Sequence, residues 1–124
     1  MPQNNADNCS GSISAVALVT KDMAVSVAFY RALGVELTYG GDEALFSSLQ
    51  FGQCFVNLSL GNLEVPLPWW GRVIFHVPDV DAVYSLAVMN GFDVEAEPND
   101  APWGERYFHV LDPMGHQLSF AKPL

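Results

Sequence analysis

The stretch Val16-Ala-Leu-Val-Thr-Lys-Asp22 decides the fold, because Val73-Ile-Phe-His-Val-Pro-Asp79 aligns with it without a gap, 57 positions further along the chain. The same offset carries Gly34 onto Gly91. Each copy has the pattern of an apolar strand, an Asp helix cap, an amphipathic helix, a Gly stop and a second strand. The repeat therefore predicts a duplicated domain whose function is built between the two copies.

Composition and charge argue against several classes of protein. The chain has 124 residues, of which 50% are hydrophobic and 15% charged, as is typical of one globular domain. Its formal charge of −9, from 14 acidic and 5 basic residues, argues against nucleic acid as a partner, because too few bases are present to neutralise phosphates. No apolar run approaches the roughly 18–20 residues that cross a bilayer, so no membrane association is predicted.

The first dozen residues and the cysteines bear on location. Residues 1–12 are polar and lack the apolar segment of a secretory signal, which predicts a flexible N-terminal tail. Cys9 lies in this tail and Cys54 in a predicted strand, and this spacing makes neither a disulfide framework nor a zinc motif. The reducing cytoplasm is therefore the expected location.

The order of patterns along the chain predicts an α+β fold of two tandem βαβββ modules. Strands are predicted at 13–20, 35–39, 44–50 and 54–60 in the first copy, and at 72–77, 92–97, 105–111 and 117–121 in the second. Residues 13–124 are expected to form a single domain, with module one at 13–61, a stiff linker at 62–70 and module two at 71–122. Asp22 and Asp79 are the predicted helix caps. We expect a curved mixed sheet around a cleft, with the helices outside.

Three motifs, in this order and with the duplication, resemble the vicinal oxygen chelate superfamily. They are Ala28 to Leu37 (AFYRALGVEL), Val73 to Val83 (VIFHVPDVDAV) and Pro102 to Ala121 (PWGERYFHVLDPMGHQLSFA). The superfamily includes glyoxalase I, extradiol dioxygenases, fosfomycin-modifying enzymes and bleomycin-resistance binding proteins. The resemblance covers about residues 13–122 and is specific for the superfamily. Its members share this pattern while differing in chemistry, so function has to be argued from the site.

The resemblance implies four positions for the ligands of a divalent metal, one on each of four strands. They fall at Ala15, Asn57, Arg72 and Ser119. Ala15 offers no ligand atom, Arg72 brings a fixed positive charge, and the other two are neutral and poor ligands. We therefore predict no metal and no cofactor, which argues against the metal-dependent chemistry of the superfamily.

The three histidines have different expected roles. Strand alternation predicts that His76 and His109 face the cleft, either as hydrogen-bonded pocket residues or, together with Asn57, as a rebuilt metal site. His116 follows the turn Asp112-Pro-Met-Gly115 and is expected to be a solvated turn residue. Nucleophilic catalysis has no support, because the chain has no Ser–His–Asp or Cys–His signature.

The tryptophans and nearby charges point to a ligand. Trp69 and Trp70 in the linker either fill the core or a subunit interface, or stack on a ligand; Trp103 either packs or contacts a ligand. Between Asp93 and Glu105 lie five acidic residues and no base, and such an acidic, aromatic rim favours a cationic, planar ligand. Arg106, which follows this run, is expected to pair with an acid.

The residues expected to bind a ligand are Asn57, Trp69, Trp70, Arg72, His76, Trp103, His109 and Ser119, and none is predicted to be catalytic. The predicted function is non-catalytic binding and sequestration of a small aromatic or cationic organic molecule, as in antibiotic resistance. The alternatives are a glyoxalase- or dioxygenase-type enzyme with a divergent or absent metal site, and a domain whose cleft is filled by its own side chains. The resemblance also implies a homodimer, while a cleft complete in one chain stays open.

Overall fold

The computed structural model describes residues 11–124, which contain nine strands and two helices. In chain order these are β1 (Ala15–Thr20), α1 (Met23–Ala32), β2 (Glu36–Tyr39), β3 (Phe46–Phe51), β4 (Cys54–Leu60), β5 (Arg72–His76), α2 (Val80–Met89), β6 (Asp93–Val94), β7 (Asn99–Ala101), β8 (Glu105–Leu111) and β9 (Gln117–Pro123). Neither helix of this described part is long and apolar enough to span a bilayer. Residues 1–10 of the predicted tail, Cys9 among them, lie outside the described residues.

The two copies form two mixed sheets with equivalent strand orders. The first sheet has the order β1-β4-β3-β2, with β1 parallel to β4 and the other pairs antiparallel. The second has the order β5-β9-β8-β6, with β5 parallel to β9 and the short β7 paired with β8. The α+β prediction is confirmed, and the expected mixed sheet is made of two sheets, one from each copy.

Both helices begin with the same local geometry, as the repeat predicts. Asp22 has φ −141° and ψ 95°, and Asp79 has φ −140° and ψ 92°. Each carboxylate accepts a hydrogen bond from the backbone amide three residues further on, at 3.2 Å and 3.1 Å respectively. These bonds satisfy an amide that has no partner within the helix, so the two predicted caps are confirmed.

The core lies between each helix and its sheet and continues from one copy to the other. Phe75, Phe120 and Phe108 stack on the neighbouring strands β5, β9 and β8, with ring centroids 5.0 Å and 5.6 Å apart. Phe51 of the first copy meets the Phe75 ring edge-on at 4.7 Å. Burial of a Phe side chain stabilises a fold by about 1.5–3 kcal/mol, so these rings hold the two copies together.

The second copy differs from prediction after its helix. The strand expected at 92–97 is shortened to β6 (Asp93–Val94), and the unpredicted β7 (Asn99–Ala101) follows it. Pairing with β8 stops after Val94 and resumes at Asn99, directly after Pro98, which has no amide hydrogen for a strand ladder. Arg106 of β8 forms ion pairs with Asp100 of β7 at 3.0 Å and with Asp81 of α2 at 2.9 Å. These contacts confirm the prediction that Arg106 pairs with an acid.

Candidate functional site

Each sheet has one face that packs on its helix and one that does not, and the second face carries the predicted site residues of the strands. On β5, Phe75 is buried while Arg72, Ile74 and His76 alternate with it and are exposed. The strand register aligns Ile74 with Ser119 of β9, and Ser119 with His109 of β8. The helix-free face of the second sheet therefore carries four of the predicted ligand-binding side chains, which are Arg72, His76, His109 and Ser119.

A cavity of about 770 Å³ lies between the two copies, where β1 and β4 of the first approach β5 of the second. Its lining is mostly apolar and includes Trp70, Arg72 and His76 of the predicted residues, together with Glu105 and Cys54. Cavities that hold small organic ligands have volumes of roughly 300–1,000 Å³. Three of the residues predicted to bind a ligand thus line one cavity whose volume is suitable for a small organic molecule.

Arg72 lines the cavity from the first position of β5. Its Nε and Nη2 donate hydrogen bonds to Oε1 of Gln117 at 2.8 Å and 2.5 Å. Its guanidinium lies 4.9 Å from the centre of the Trp69 ring, a distance that permits a cation–π interaction. Gln117 was missed from sequence, although its alternation with Ser119 on β9 places both on the same face.

Glu105 also lines the cavity and contacts two predicted residues. Its Oε1 accepts a hydrogen bond from Trp103 Nε1 at 3.1 Å, and its Oε2 lies 3.2 Å from His76 Nε2. The Trp103 ring stacks on Tyr107 with centroids 5.6 Å apart, and Tyr107 in turn lies 4.9 Å from the ring of His109. In the sequence, Glu105 stands out only as part of an acidic run, but its alternation with Tyr107 and His109 on β8 places it on this face.

His109 has an unusual environment. Within residues 11–124, its Nδ1 is buried and has no hydrogen-bond partner. Burial lowers the pKa of His109 below its usual value, the positive charge of Arg72 lowers the pKa further, and Glu95 partly opposes both effects. The lowered pKa favours the neutral ring at pH 7.

The four positions that the superfamily uses for a metal do not form a cation site here. Ala15 and Arg72 line the cavity, while Ser119 is buried at 3% exposure and Asn57 accepts a hydrogen bond from the Ser48 hydroxyl. An aliphatic group, a guanidinium, a hydroxyl and an amide are together a poor donor set for a divalent metal.

The structure also does not assemble the alternative metal site of two histidines and Asn57. His76 and His109 are separated by strand β9 and lie two positions out of register, and Asn57 belongs to the other sheet. In the part of the chain that the structure describes, no three side chains of His, Cys, Asp or Glu are grouped as metal ligands.

The prediction for His116 was wrong. This side chain is 4% exposed rather than solvated. Its Nε2 donates to the carbonyl of Val19 at 2.9 Å, and its Nδ1 accepts from Nε1 of Trp70 at 3.1 Å, which together assign the proton to Nε2. A turn position in the sequence gives no sign of this burial, because the covering residues come from the linker and from β1.

The two linker tryptophans are both accessible. Trp69 is 66% exposed and Trp70 is 48% exposed, so neither fills the core of this chain. Of the alternatives left open from sequence, contact with a ligand and contact with a second subunit remain for both. The hydrogen bond to His116 fixes the Trp70 ring at the edge of the cavity.

The two sheets of equivalent strand order, with a cavity between them, define a class of duplicated α+β folds. Residues 71–120 match the family described as "Glyoxalase/Bleomycin resistance protein/Dioxygenase superfamily". The Anthracycline biosynthesis protein DauV of Streptomyces sp. (strain C5) is 36% identical over 113 residues, which are 88% of this chain and 40% of that protein. The chain thus spans less than half the length of this curated relative.

Solved structures share the fold over nearly the whole chain. TioX from Micromonospora sp. ML1 is 26% identical, with a TM-score of 0.71 over 92% of this chain and 100% of that one. The bleomycin resistance determinant encoded on transposon Tn5 is 21% identical, with a TM-score of 0.75 over 91% of this chain and 98% of that one. The second copy of the chain thus matches the model of the glyoxalase/bleomycin resistance/dioxygenase superfamily, and residues of both copies share the fold of solved structures from that superfamily, as the motifs implied.

Proposed function

We propose that this chain binds and sequesters a small, planar, positively charged aromatic molecule without transforming it. The main support is the cavity of about 770 Å³, whose mostly apolar lining includes the ring of Trp70 and the carboxylate of Glu105. A mostly apolar cavity with an aromatic ring in its lining favours binding of a planar molecule, and a carboxylate favours binding of a cation.

Sequestration needs affinity alone, and the cavity offers enough contacts for it. An aromatic pair contributes about 0.5–1.5 kcal/mol and a cation–π contact about 0.5–2 kcal/mol beyond simple burial. Apolar surface removed from water adds about 25 cal/mol per Å². Two or three aromatic contacts together with burial reach roughly −8 kcal/mol, which corresponds to micromolar binding.

The names of two similar proteins support this class of ligand. One relative is named for anthracycline biosynthesis and one structural neighbour for bleomycin resistance. Anthracyclines are planar polycyclic quinones that carry a protonated amino sugar, so they combine the two properties that the cavity suits. The net charge of −9 also attracts cations from a distance.

We also propose that the protein acts as a homodimer. Large apolar side chains are exposed on the helix-free faces of both sheets, with Tyr39 at 66%, Ile74 at 57% and Phe46 at 39%. A second copy would cover such surface. Light scattering coupled to size exclusion tests this directly, since a mass near 13.6 kDa would reject it.

The experiment for the proposed function is calorimetric titration of the protein with doxorubicin, a readily handled anthracycline. Trp70→Ala should weaken binding about tenfold, because it removes one stacked ring and its buried surface. Met89→Ala, which alters a side chain that is 78% exposed on α2 and outside the cavity, is the matched control. Circular dichroism shows whether both variants keep the fold. Unchanged binding by Trp70→Ala would reject the cavity as the binding site.

A metal-free enzyme is the second candidate, and His109 is the residue that favours it. Its pKa is lowered, so a neutral imidazole on the helix-free face is available to accept a proton. Mass spectrometry of the ligand after prolonged incubation separates the two functions. Recovery of unaltered doxorubicin fits sequestration, and a product that His109→Phe does not form would establish catalysis.

A further inference from the structure

Opposite charges line the cavity near the two ends of strand β5. Arg72 begins strand β5 and His76 ends it, and both line the cavity. At about 3.3 Å per residue, four positions along a strand separate them by roughly 13 Å. His76 contacts Glu105, which lines the cavity as well. A guanidinium thus stands at one end and a carboxylate at the other.

The charge of Glu105 is not balanced by a permanent cation. Among the described residues, its ion-pair partner is His76, which is charged only when protonated. Its other oxygen accepts a hydrogen bond from the neutral indole of Trp103. The Glu105 side chain is 24% exposed, so a cation brought to it is less screened than at an open surface.

Aromatic rings stand beside this carboxylate. Trp103, in the turn before β8, stacks on Tyr107 of β8 with centroids 5.6 Å apart, and Tyr107 lies 4.9 Å from the ring of His109 on the same strand. Trp103 is 68% exposed and presents an accessible ring to solvent. A carboxylate beside an open indole ring is a combination that binds alkylammonium groups, through charge and through cation–π attraction.

We propose that Glu105 and Trp103 bind a protonated amine of the ligand while Arg72 binds hydrogen-bond acceptors at its opposite end. The cavity then holds its ligand in one orientation. This inference rests on the proposed binding function and narrows the ligand to planar aromatics with an ammonium at one end and carbonyl or phenolic oxygens at the other.

The test uses Glu105→Gln with two probes, doxorubicin and its N-acetylated form. Glutamine keeps the size of the side chain, an oxygen that accepts from Trp103 and a polar group that faces His76, so the main loss is the charge. The variant should bind doxorubicin about fivefold more weakly, as a partly exposed ion pair predicts, and N-acetyl-doxorubicin as the wild type does. Glu43→Gln removes the same charge from an exposed position outside the cavity and should alter neither affinity.

Arg72→Gln tests the opposite end. Both probes keep the quinone and phenolic oxygens, so both should lose affinity by a similar factor of about five. Equal effects of Glu105→Gln on both probes, or no effect on either, would overturn the assignment of the amine. An unaffected Arg72→Gln would overturn the orientation. Each of these results leaves the binding function in place, whereas wild-type protein that binds neither probe contradicts the proposed function itself.

Discussion

The indole of Trp70 donates a hydrogen bond from Nε1 to Nδ1 of His116 at 3.1 Å, and the rings meet edge-on with centroids 5.5 Å apart. The opposite nitrogen of the same imidazole bonds to the carbonyl of Val19, which is 97 positions away in the chain. One buried ring thus joins the linker, the turn between β8 and β9, and the first strand. The position of Trp70 in the cavity wall depends on this contact.

His116→Phe should lower both stability and ligand affinity. The substitution keeps a ring of similar size but leaves the Val19 carbonyl and the Trp70 indole without their partner, at a cost of about 2 kcal/mol. Urea denaturation followed by circular dichroism measures the decrease in the free energy of unfolding. Trp70→Phe removes the same indole bond from the other side, so the double variant should lose less than the two single losses combined. Strict additivity would show that the two rings are not coupled.

A second long-range contact makes stability sensitive to alkaline pH. The hydroxyl of Tyr30, buried on α1, donates to Oδ2 of the buried Asp112 at 2.6 Å. Burial raises the pKa of Tyr30 well above its usual value, and the charge of Asp112 and the hydrogen bond raise this pKa further. An unfolded tyrosine ionises near pH 10. The stabilising contribution is therefore complete below about pH 10 and is lost as the pH rises toward the folded pKa.

Tyr30→Phe should remove this part of the alkaline pH dependence and lower the free energy of unfolding at neutral pH by about 1–3 kcal/mol, because Asp112 loses a buried donor. The measurement is urea unfolding between pH 7 and pH 11. Tyr39→Phe is the control, since Tyr39 is 66% exposed and should give the wild-type profile. A Tyr30→Phe profile parallel to that of the wild type across this range would contradict the assignment.

Local signals in the sequence were sufficient for most of the fold. The repeat placed both helix caps, because an N-cap needs only one side chain and the amide three residues on. Strand alternation placed Arg72 and His76 on the helix-free face, because side chains in a strand alternate with a period of two. The short β7 was missed because the sequence pattern predicts one continuous strand at 92–97, whereas pairing with β8 stops after Val94 and resumes at Asn99.

Long-range contacts account for what the sequence did not predict at the site. The burial of His116 comes from Trp70 in the linker and Val19 in β1. The contact of Glu105 with His76 joins two strands with β9 between them. Neither contact leaves a periodic pattern, because each partner is brought in by the packing of separate elements.

The pKa of His109 should respond in opposite directions to its two charged neighbours. Arg72→Gln removes a nearby positive charge and should raise this pKa, while Glu95→Gln removes a negative charge and should lower it further. Titration of the His109 ring protons by NMR measures both shifts. Glu36→Gln, on the exposed side of β2, is the charge-matched control for Glu95→Gln. Shifts of the same sign in both variants would mean that the substitutions act on burial rather than on charge.

The linker packs against the turn that contains Gly115, and substitution there should be more costly than at an equivalent glycine. Gly115 has φ +96°, and a Cβ built on it would lie 2.7 Å from Leu67 N and 3.2 Å from Pro66 Cα. Gly34, which follows α1, has the same φ of +96° but would meet no atom within 4 Å. Both alanine variants carry the cost of a left-handed residue, about 1–2 kcal/mol, while Gly115→Ala adds about 1–3 kcal/mol of overpacking.

The same pair of variants links the linker to ligand binding. Leu67 N donates to the Met114 carbonyl at 3.1 Å, so a Cβ at Gly115 pushes the linker away from the turn that holds it. Because Trp70 follows in the same linker, Gly115→Ala should weaken doxorubicin binding about as much as Trp70→Ala, and Gly34→Ala, which lies outside the cavity, should leave it unchanged. Urea unfolding and calorimetric titration of both variants provide the comparison. Equal stability losses at the two glycines would show that the linker yields without strain, and binding would then be unaffected in both.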